Sequence, residues 1–229
     1  MAEIMTVESI VEADWQMQGF WTKVRYPLRT KNGSWSDIDI LAYKPESREL
    51  VIAESKVRGP KKAVYAYTKA SQQRYGTILE YDIHGNDQLY FGFLEHIKLA
   101  CEGRAIFDGF SRMVSKLIVQ LVSNYVIDDD VKPNAIAAVK KQIRKDVPKT
   151  IDLDIRLEST LDVIARIIKN ENVSLQGRRY GHPVIDIARE LNRYMHPDVH
   201  YAGRTRGAAD IVRASLKKRL MDVLEETKT

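Results

Sequence analysis

Two short apolar segments, at residues 37–43 and 49–53, lie close together in this chain and limit its fold more than any other feature. Each is rich in aliphatic residues and shorter than a typical helix, and the polar residues 44–48 between them form a turn. This pattern predicts two neighbouring strands of a sheet. The fold must therefore place both segments side by side.

Charged residues of opposite sign accompany these two predicted strands. Asp39 lies on the first strand, and Glu54, Ser55 and Lys56 end the second. Side chains two residues apart share a face of a strand, so Glu54 and Lys56 are expected on one side and Ser55 on the other. Asp37 shares a face with Asp39, so strand periodicity does not choose between them. Two carboxylates and a lysine together can hold a divalent cation and activate a water for attack on phosphate.

An acidic residue two positions before a lysine is by itself a weak signal. The chain also contains it at residues 130–132 and 226–228, in a predicted turn and near the tail. Residues 54–56 differ because they end an apolar strand and follow Asp39 by 15 residues. This context favours a nuclease site, whereas the ordinary alternative for each residue is a solvated surface position.

The order of predicted elements indicates a mixed α/β sheet with helices on its faces. Val7, Ile10, Val11 and Trp15 recur at helical spacing, and Gly19 is placed to end that helix. The other predictions are strands at 20–28, 116–127 and 150–157, helices at 61–75, 89–110 and 134–145, and a helix at 160–169 capped by Ser159. The 116–127 run is predicted to be a central strand.

Composition limits the class of protein. Hydrophobic residues make up 44% of the 229, and no apolar run approaches the roughly 20 residues that cross a bilayer. The first residues lack the regions of a secretion signal, so we expect a cytoplasmic protein with no membrane partner. Cys101 is the single cysteine, which argues against disulfide and zinc sites and predicts a small buried hydrophobe.

Basic residues concentrate in two stretches. Residues 178–219 hold ten Lys or Arg and four acids, a net charge of +6 that exceeds the +5 of the whole chain. Residues 58–74 hold five basic residues and no acid, and they directly follow the acidic pair. Clusters of cationic side chains bind nucleic-acid phosphates with release of counterions. Each stretch is therefore either a nucleic-acid contact or an ordinary solvated surface.

These residues resemble the PD-(D/E)XK nuclease superfamily, which has the restriction-endonuclease-like fold. The matching pieces are a helix bearing Glu8, the pair Gly19 and Phe20 that ends it, and the segments 36–42 and 50–56. The layout is similar to that of archaeal Holliday-junction resolvases and related small nucleases over roughly residues 5–75. No proline precedes the first acid, and beyond residue 75 the match is only topological.

The resemblance implies a Mg²⁺-dependent DNA endonuclease, with Mn²⁺ able to substitute. Its catalytic residues would be Glu8, Asp39, Glu54 and Lys56, with the metal bound by Asp39, Glu54 and the backbone carbonyl of Ser55. Lys56 would orient or deprotonate the attacking water. The residues expected to contact nucleic acid are Arg58, Lys61, Lys62, Gln72 (or Gln73), Arg74, Arg204 and Arg206.

Two regions are expected, a nuclease domain at residues 1–158 and a basic, mostly helical region at residues 159–229. The second is either a phosphate-binding module, of the helix-turn-helix or winged-helix kind, or a solvated helical surface packed on the sheet. A homodimer would supply two active centres for two strands. The alternatives to a DNA endonuclease are a nuclease acting on RNA and a non-enzymatic nucleic-acid-binding protein on a nuclease-like scaffold.

Overall fold

A computed structural model describes residues 2–29, 33, 35–56, 65–76, 97, 101, 113–173 and 181–195, and single helical positions between residues 214 and 225. The chain divides into two compact units, Met1–Val163 and Ile164–Thr229. This division falls a few residues after the boundary predicted between residues 158 and 159. The first unit contains the strands, and the second is helical where the structure describes it.

A helix and three strands open the chain. They are α1 (Ala2–Met17), β1 (Trp21–Arg29), β2 (Trp35–Lys44) and β3 (Glu49–Lys56). After them come β4 (Tyr65–Tyr67), α2 (Lys69–Tyr75), β5 (Lys116–Ser123), β6 (Tyr125–Ile127), α3 (Lys132–Ile143), β7 (Asp152–Ser159), α4 (Thr160–Val173) and α5 (Pro183–Met195). Gly19 follows α1 with a φ of +85°, a conformation that glycine adopts without steric strain, so the chain can turn there into β1.

Five strands form one mixed sheet in the order β1-β2-β3-β5-β7. The pairs β1–β2 and β2–β3 are antiparallel, whereas β3–β5 and β5–β7 are parallel. α1 packs against β1, β2 and β3, and α3 packs against β7. The predicted α/β class, with helices flanking a mixed sheet, is confirmed.

Within the described residues, two predicted elements differ from the structure, and the helix predicted at 89–110 lies outside them except for Ile97 and Cys101. The helix predicted at 61–75 is, in its described part, the strand β4 followed by the short helix α2. The Thr68 hydroxyl accepts a hydrogen bond from the Ser71 amide, and this cap starts α2 only at Lys69. The single strand predicted at 116–127 is two strands: β5 joins the main sheet and β6 pairs with β4. Strand-forming composition does not show which partner each half will choose, because that choice depends on tertiary packing.

The main core of the first unit is built from the apolar residues of its central strands. Leu50, Ile52 and Val119 are completely buried in it. Cys101 belongs to the same cluster, which confirms the prediction of a buried small hydrophobe. Burial raises the pKa of the Cys101 thiol to about 12, so this cysteine is not a thiolate nucleophile.

α1 is fixed to the sheet through Trp15. The Trp15 ring is buried and meets the Phe20 ring edge-on, with 4.8 Å between the centroids. Its Nε1 donates a hydrogen bond to Oε1 of Gln120 at 2.7 Å, and Gln120 Nε2 donates to Oε2 of Glu158 at 2.6 Å. These contacts hold the helix that bears Glu8 against the sheet at β5, the strand next to the one that bears Glu54.

A reciprocal cap starts α4, close to the division between the two units. Ser159 Oγ accepts from the Asp162 amide at 3.1 Å, and Asp162 Oδ2 accepts from the Ser159 amide at 2.8 Å. The cap predicted at Ser159 is confirmed. In the second unit, α5 buries Ile185 and Ala188. Among the described helices, none combines the length and the apolar character needed to span a bilayer.

Candidate active site

β2 and β3 pair over only part of their lengths. Their register ends at the pair Ile40 and Ala53. Beyond that pair, β2 continues alongside β1 and β3 continues alongside β5. The next residues, Asp39 and Glu54, therefore lie where the two strands separate. Backbone groups at such a separation need acceptors other than the neighbouring strand.

Two carboxylates satisfy backbone groups at this separation. Asp39 Oδ2 accepts hydrogen bonds from the Ser55 amide at 2.7 Å and from the Ser55 hydroxyl at 3.0 Å. Glu54 Oε1 accepts from the Asp39 amide at a longer distance of 3.4 Å. Because Asp39 lies against the backbone of β3, it contacts Ser55 as well as the residues on either side. Sequence reasoning assigned Ser55 only a carbonyl role and missed the hydroxyl.

Lys56 makes ion pairs with both carboxylates. Its Nζ lies 2.7 Å from Glu54 Oε2 and 3.8 Å from Asp39 Oδ2. The Glu54 side chain is 0% exposed, whereas Asp39 keeps 15% and Lys56 19% of their side-chain surface. The structure thus brings together three of the four predicted catalytic residues, which we call the Lys56 cluster. Water screens the charges weakly at this depth, so they act on one another strongly.

The Asp39 carboxylate is electrostatically unfavourable in its place. Burial, and then the negative charge of Glu54, raise the pKa of Asp39 above its ordinary value of 3.8. The Lys56 ammonium and the two Ser55 donors act in the opposite direction without cancelling that rise. A cation beside Asp39 would oppose both causes of the raised pKa, because it favours the ionised carboxylate.

The Lys56 cluster contains two carboxylates whose oxygens are differently engaged. The described donors to Asp39 converge on Oδ2, so Oδ1 receives no hydrogen bond from the part of the chain that the structure describes. Within the same described residues, no group of three or more His, Cys, Asp or Glu side chains is placed to hold a metal. Mg²⁺ commonly takes only one or two carboxylates, with waters and substrate phosphate as the other ligands.

Glu8 is held by Arg25. The buried Glu8 Oε1 lies 3.1 Å from Arg25 Nη2, and Arg25 Nε donates to Glu8 Oε2 at 3.3 Å. Arg25 lies between two residues that pair with Ile38 and Ile40, and therefore opposite Asp39. Glu8, through its hydrogen bonds and charge, raises the pKa of Arg25, and the charges of Asp37 and Asp39 add to this effect. Glu8, the fourth predicted catalytic residue, therefore makes no described hydrogen bond or ion pair with the Lys56 cluster, and Arg25 beside it interacts with Asp39 only through charge.

Sequence reasoning missed Arg25. The only available signal was a basic residue on the strand that precedes the acids. This signal is weak because a shift of one residue in the hairpin register would turn the Arg25 side chain away from Asp39. Arg25 also has a φ of +51°, in the left-handed region that arginine seldom adopts. Such a backbone conformation is not visible in a pattern of apolar and polar residues.

The structure also distinguishes Asp37 from Asp39. Asp37 pairs with Pro27 of β1, and no described hydrogen bond or ion pair joins it to Glu54 or Lys56. The geometry therefore favours Asp39 as the acid that accompanies Glu54.

Few of the residues predicted to contact nucleic acid are described. Gln72 and Arg74 lie on α2, the first half-buried and the second exposed. The remaining predicted contacts lie outside the described residues, namely Arg58, Lys61, Lys62, Arg204 and Arg206. Nucleic-acid contact by these residues stays a prediction.

Comparison with known proteins shows no family. No family model and no curated protein matches the chain. Among solved structures, the crystal structure of a protein of unknown function, AF1548, is similar over 94% of this chain and 97% of its own chain, at 12% identity and a TM-score of 0.32. A similarity this low says nothing about function.

Proposed function

We propose that this chain is a metal-dependent nuclease of the PD-(D/E)XK type that hydrolyses phosphodiester bonds in DNA. One observation carries the proposal: Asp39, Glu54 and Lys56 meet at the point where β2 and β3 separate. The mixed five-stranded sheet is compatible with the restriction-endonuclease-like fold that belongs to this proposal. Mg²⁺ is the proposed cofactor, and Mn²⁺ is expected to substitute.

The role proposed for each residue follows from the atoms that it presents at the site. Oδ1 of Asp39, the Glu54 carboxylate and the Ser55 carbonyl would hold the ion, and the Ser55 amide and hydroxyl orient Asp39 through Oδ2. When bound, Mg²⁺ supplies Lewis-acid polarisation of phosphate and water. Lys56 positions the attacking water and offsets negative charge on the attacked phosphodiester. Glu8, buried behind Arg25, completes the acidic set.

DNA is the proposed partner because the chain has a net charge of +5 and concentrates basic residues after β3 and in its C-terminal region. Cutting both strands of a duplex would require two such sites, which is the reason to propose a homodimer. Arg204 and Arg206 would bind phosphates in the second unit.

A second candidate function is a non-enzymatic nucleic-acid-binding protein. The pairing of Glu8 with Arg25 favours it, because an acid held by a guanidinium is less available to a metal. The buried ion pair between Lys56 and Glu54 argues for the nuclease, since burying two acids and a lysine is costly and a binding platform does not need them.

The deciding experiment measures cleavage of labelled duplex, single-stranded and four-way-junction DNA with Mg²⁺, Mn²⁺ or EDTA. Glu54→Gln should abolish metal-dependent cleavage, because it removes a buried ligand with little change in volume. Glu49→Gln is the matched control, since Glu49 begins the same strand and pairs with Lys116. The non-enzymatic nucleic-acid-binding protein would be favoured by an equal loss of cleavage in both variants. It would also be favoured if none of the proteins cleaved DNA while all of them still bound it.

A further inference from the structure

β1 presents one alternating row of exposed residues. Trp21, Lys23, Arg25, Pro27 and Arg29 are exposed, whereas each residue between them is half-buried or buried. The row contains three cations, one aromatic ring and no acid. β1 is the last strand on its side of the five-stranded sheet, so no described strand covers its outer edge. The edge strand of the sheet therefore carries an exposed row with three cations and one aromatic ring.

β2 extends this surface with a second tryptophan. Trp35 pairs with Arg29 in the β1–β2 register. Trp21 is 73% exposed and Trp35 is 72% exposed, although tryptophan is usually among the most buried side chains. Trp15, the third tryptophan, is completely buried, so exposure is not a general property of tryptophan in this fold. We call Trp21, Lys23, Arg25, Arg29 and Trp35 the β1 stripe.

The cations of the β1 stripe are of two kinds. Arg25 is engaged by Glu8. Lys23 and Arg29 make no ion pair with any residue in the described ranges, so their charges are available to an outside anion. Aromatic rings placed among cations suit a ligand that carries both flat rings and phosphates.

The β1 stripe continues to the Lys56 cluster. Trp35 and Asp39 are four residues apart on β2, on the same side by alternation, and about 13 Å apart along the strand. This distance corresponds to about four nucleotides at the 3.4 Å spacing of stacked bases. A strand that begins at Trp35 could reach Asp39 along this side of β2, passing the half-buried Asp37 that lies between them.

We infer that the β1 stripe binds single-stranded DNA and guides it to the Lys56 cluster. Unpaired bases stack on Trp35 and Trp21, and Lys23 and Arg29 bind the phosphates. Duplex DNA hides the faces of its bases, so these rings favour unpaired segments such as overhangs, flaps and the arms of branched DNA. The inference rests on the proposed function, because it assigns the substrate class of that same site.

The test measures binding of a fluorescent oligothymidylate in EDTA, where metal-dependent cleavage does not occur. Trp35→Ala should weaken binding about tenfold, and Trp35→Phe should restore most of it, since base–aromatic stacking is typically worth this much. Arg29→Ala should reduce the salt dependence by about 0.7 in the slope of log K against log salt. Leu161→Ala and Lys141→Ala, at exposed positions on α4 and α3, are the matched controls. Oligothymidylate should quench the tryptophan fluorescence of the wild type, and the quenching should be smaller in Trp35→Phe.

The outcomes separate this inference from the proposed function. Unchanged oligothymidylate binding in Trp35→Ala, with Glu54-dependent cleavage intact, overturns the β1 stripe and leaves the nuclease standing. Trp35-dependent binding without cleavage in any metal supports the β1 stripe and removes the nuclease. Tighter Trp35-dependent binding of a single-stranded RNA of matched length, or of duplex DNA, overturns the assigned substrate class.

Discussion

The sheet has a lysine between two carboxylates at each of its two ends. At one end Lys56 lies 2.7 Å from Glu54 and 3.8 Å from Asp39. At the other end Lys116 lies 3.7 Å from Glu49 and 3.6 Å from Asp154. We call the second set the Lys116 cluster. Both clusters combine one lysine with two acids, and both use β3, which contributes Glu49 at its start and Glu54 near its end. In the Lys116 cluster, Asp154 also pairs with Arg156 at 3.5 Å.

The two clusters differ in depth and in what orients the acids. In the Lys116 cluster the side chains of Glu49, Lys116 and Asp154 are 24%, 31% and 37% exposed, whereas Glu54 is completely buried. Asp39 receives both a backbone and a hydroxyl hydrogen bond from Ser55, whereas Glu49 receives a hydroxyl hydrogen bond from Ser47 at 2.7 Å. Exposed pairs contribute little because water screens them, while buried groups shift their pKa values. Burial and orientation, more than the identity of the charges, therefore distinguish the candidate site.

The largest expected effect comes from replacing the two lysines one at a time. Lys56→Met should lower the rate of metal-dependent DNA cleavage by at least about 100-fold, because it removes the ammonium that positions the attacking water in the proposed mechanism. Lys116→Met removes a lysine between two acids at the other end of β3 and should leave the rate within about twofold. Single-turnover cleavage with saturating Mn²⁺ measures both. Similar rates in the two variants would contradict the distinction between the clusters.

The second effect concerns Asp39 and pH. Its raised pKa means that the folded protein holds a proton at a pH where the unfolded chain has released it. The free energy of unfolding therefore falls as pH rises from 3.8 toward the raised pKa of Asp39. At neutral pH the ionised Asp39 lowers the stability of the folded protein. Asp39→Asn should raise the free energy of unfolding by about 1 kcal/mol at pH 7 while abolishing cleavage.

Chemical denaturation of wild type, Asp39→Asn and Asp154→Asn at pH 4 and pH 7 measures this effect. The gain for Asp39→Asn should shrink at the lower pH, where a larger fraction of the native carboxyl is protonated, and Asp154→Asn should show no such gain. In the same series, Mn²⁺ affinity should fall as pH drops through the raised pKa of Asp39, because the ion binds the carboxylate form. A loss of stability in Asp39→Asn at pH 7 would show that Asp39 is a structural residue.

The smallest expected effect separates two arginines with left-handed backbones, Arg25 with a φ of +51° and Arg48 with a φ of +57°. Arg25 pairs with Glu8 beside the Lys56 cluster, whereas the Arg48 carbonyl accepts from the Ser115 and Lys116 amides at the other end of the sheet. Arg25→Ala should tighten Mn²⁺ binding by about threefold, because it removes a cation and releases Glu8. Arg48→Ala should leave the affinity unchanged. Isothermal titration with Mn²⁺ compares the two, and weaker binding in Arg25→Ala would mean that Arg25 orients Glu8 for the metal.

Much of the fold around the site is predictable because its signals are local. Helical spacing and Gly19 predict α1, and short apolar runs bounded by turns predict β2 and β3. The proximity of Asp39 to Glu54 follows from placing those two strands side by side. The helix predicted across Tyr65 is wrong because pairing of β4 with β6, distant in sequence, replaced the local preference. The role of Arg25 was missed for a related reason, because its position opposite Asp39 depends on the register between β1 and β2.

The sequence by itself determined which charges could meet, since alternation along β3 places Glu54 and Lys56 on one side and the turn brings Asp39 near them. Only the tertiary structure decided that this set would differ from the Lys116 cluster. β2 follows β1 and β3 follows β5 after the pair Ile40 and Ala53, and the separation turns Asp39 toward the backbone of β3. The physical reason is that burial and hydrogen-bond geometry depend on several strands at once, whereas periodicity is a property of one strand at a time.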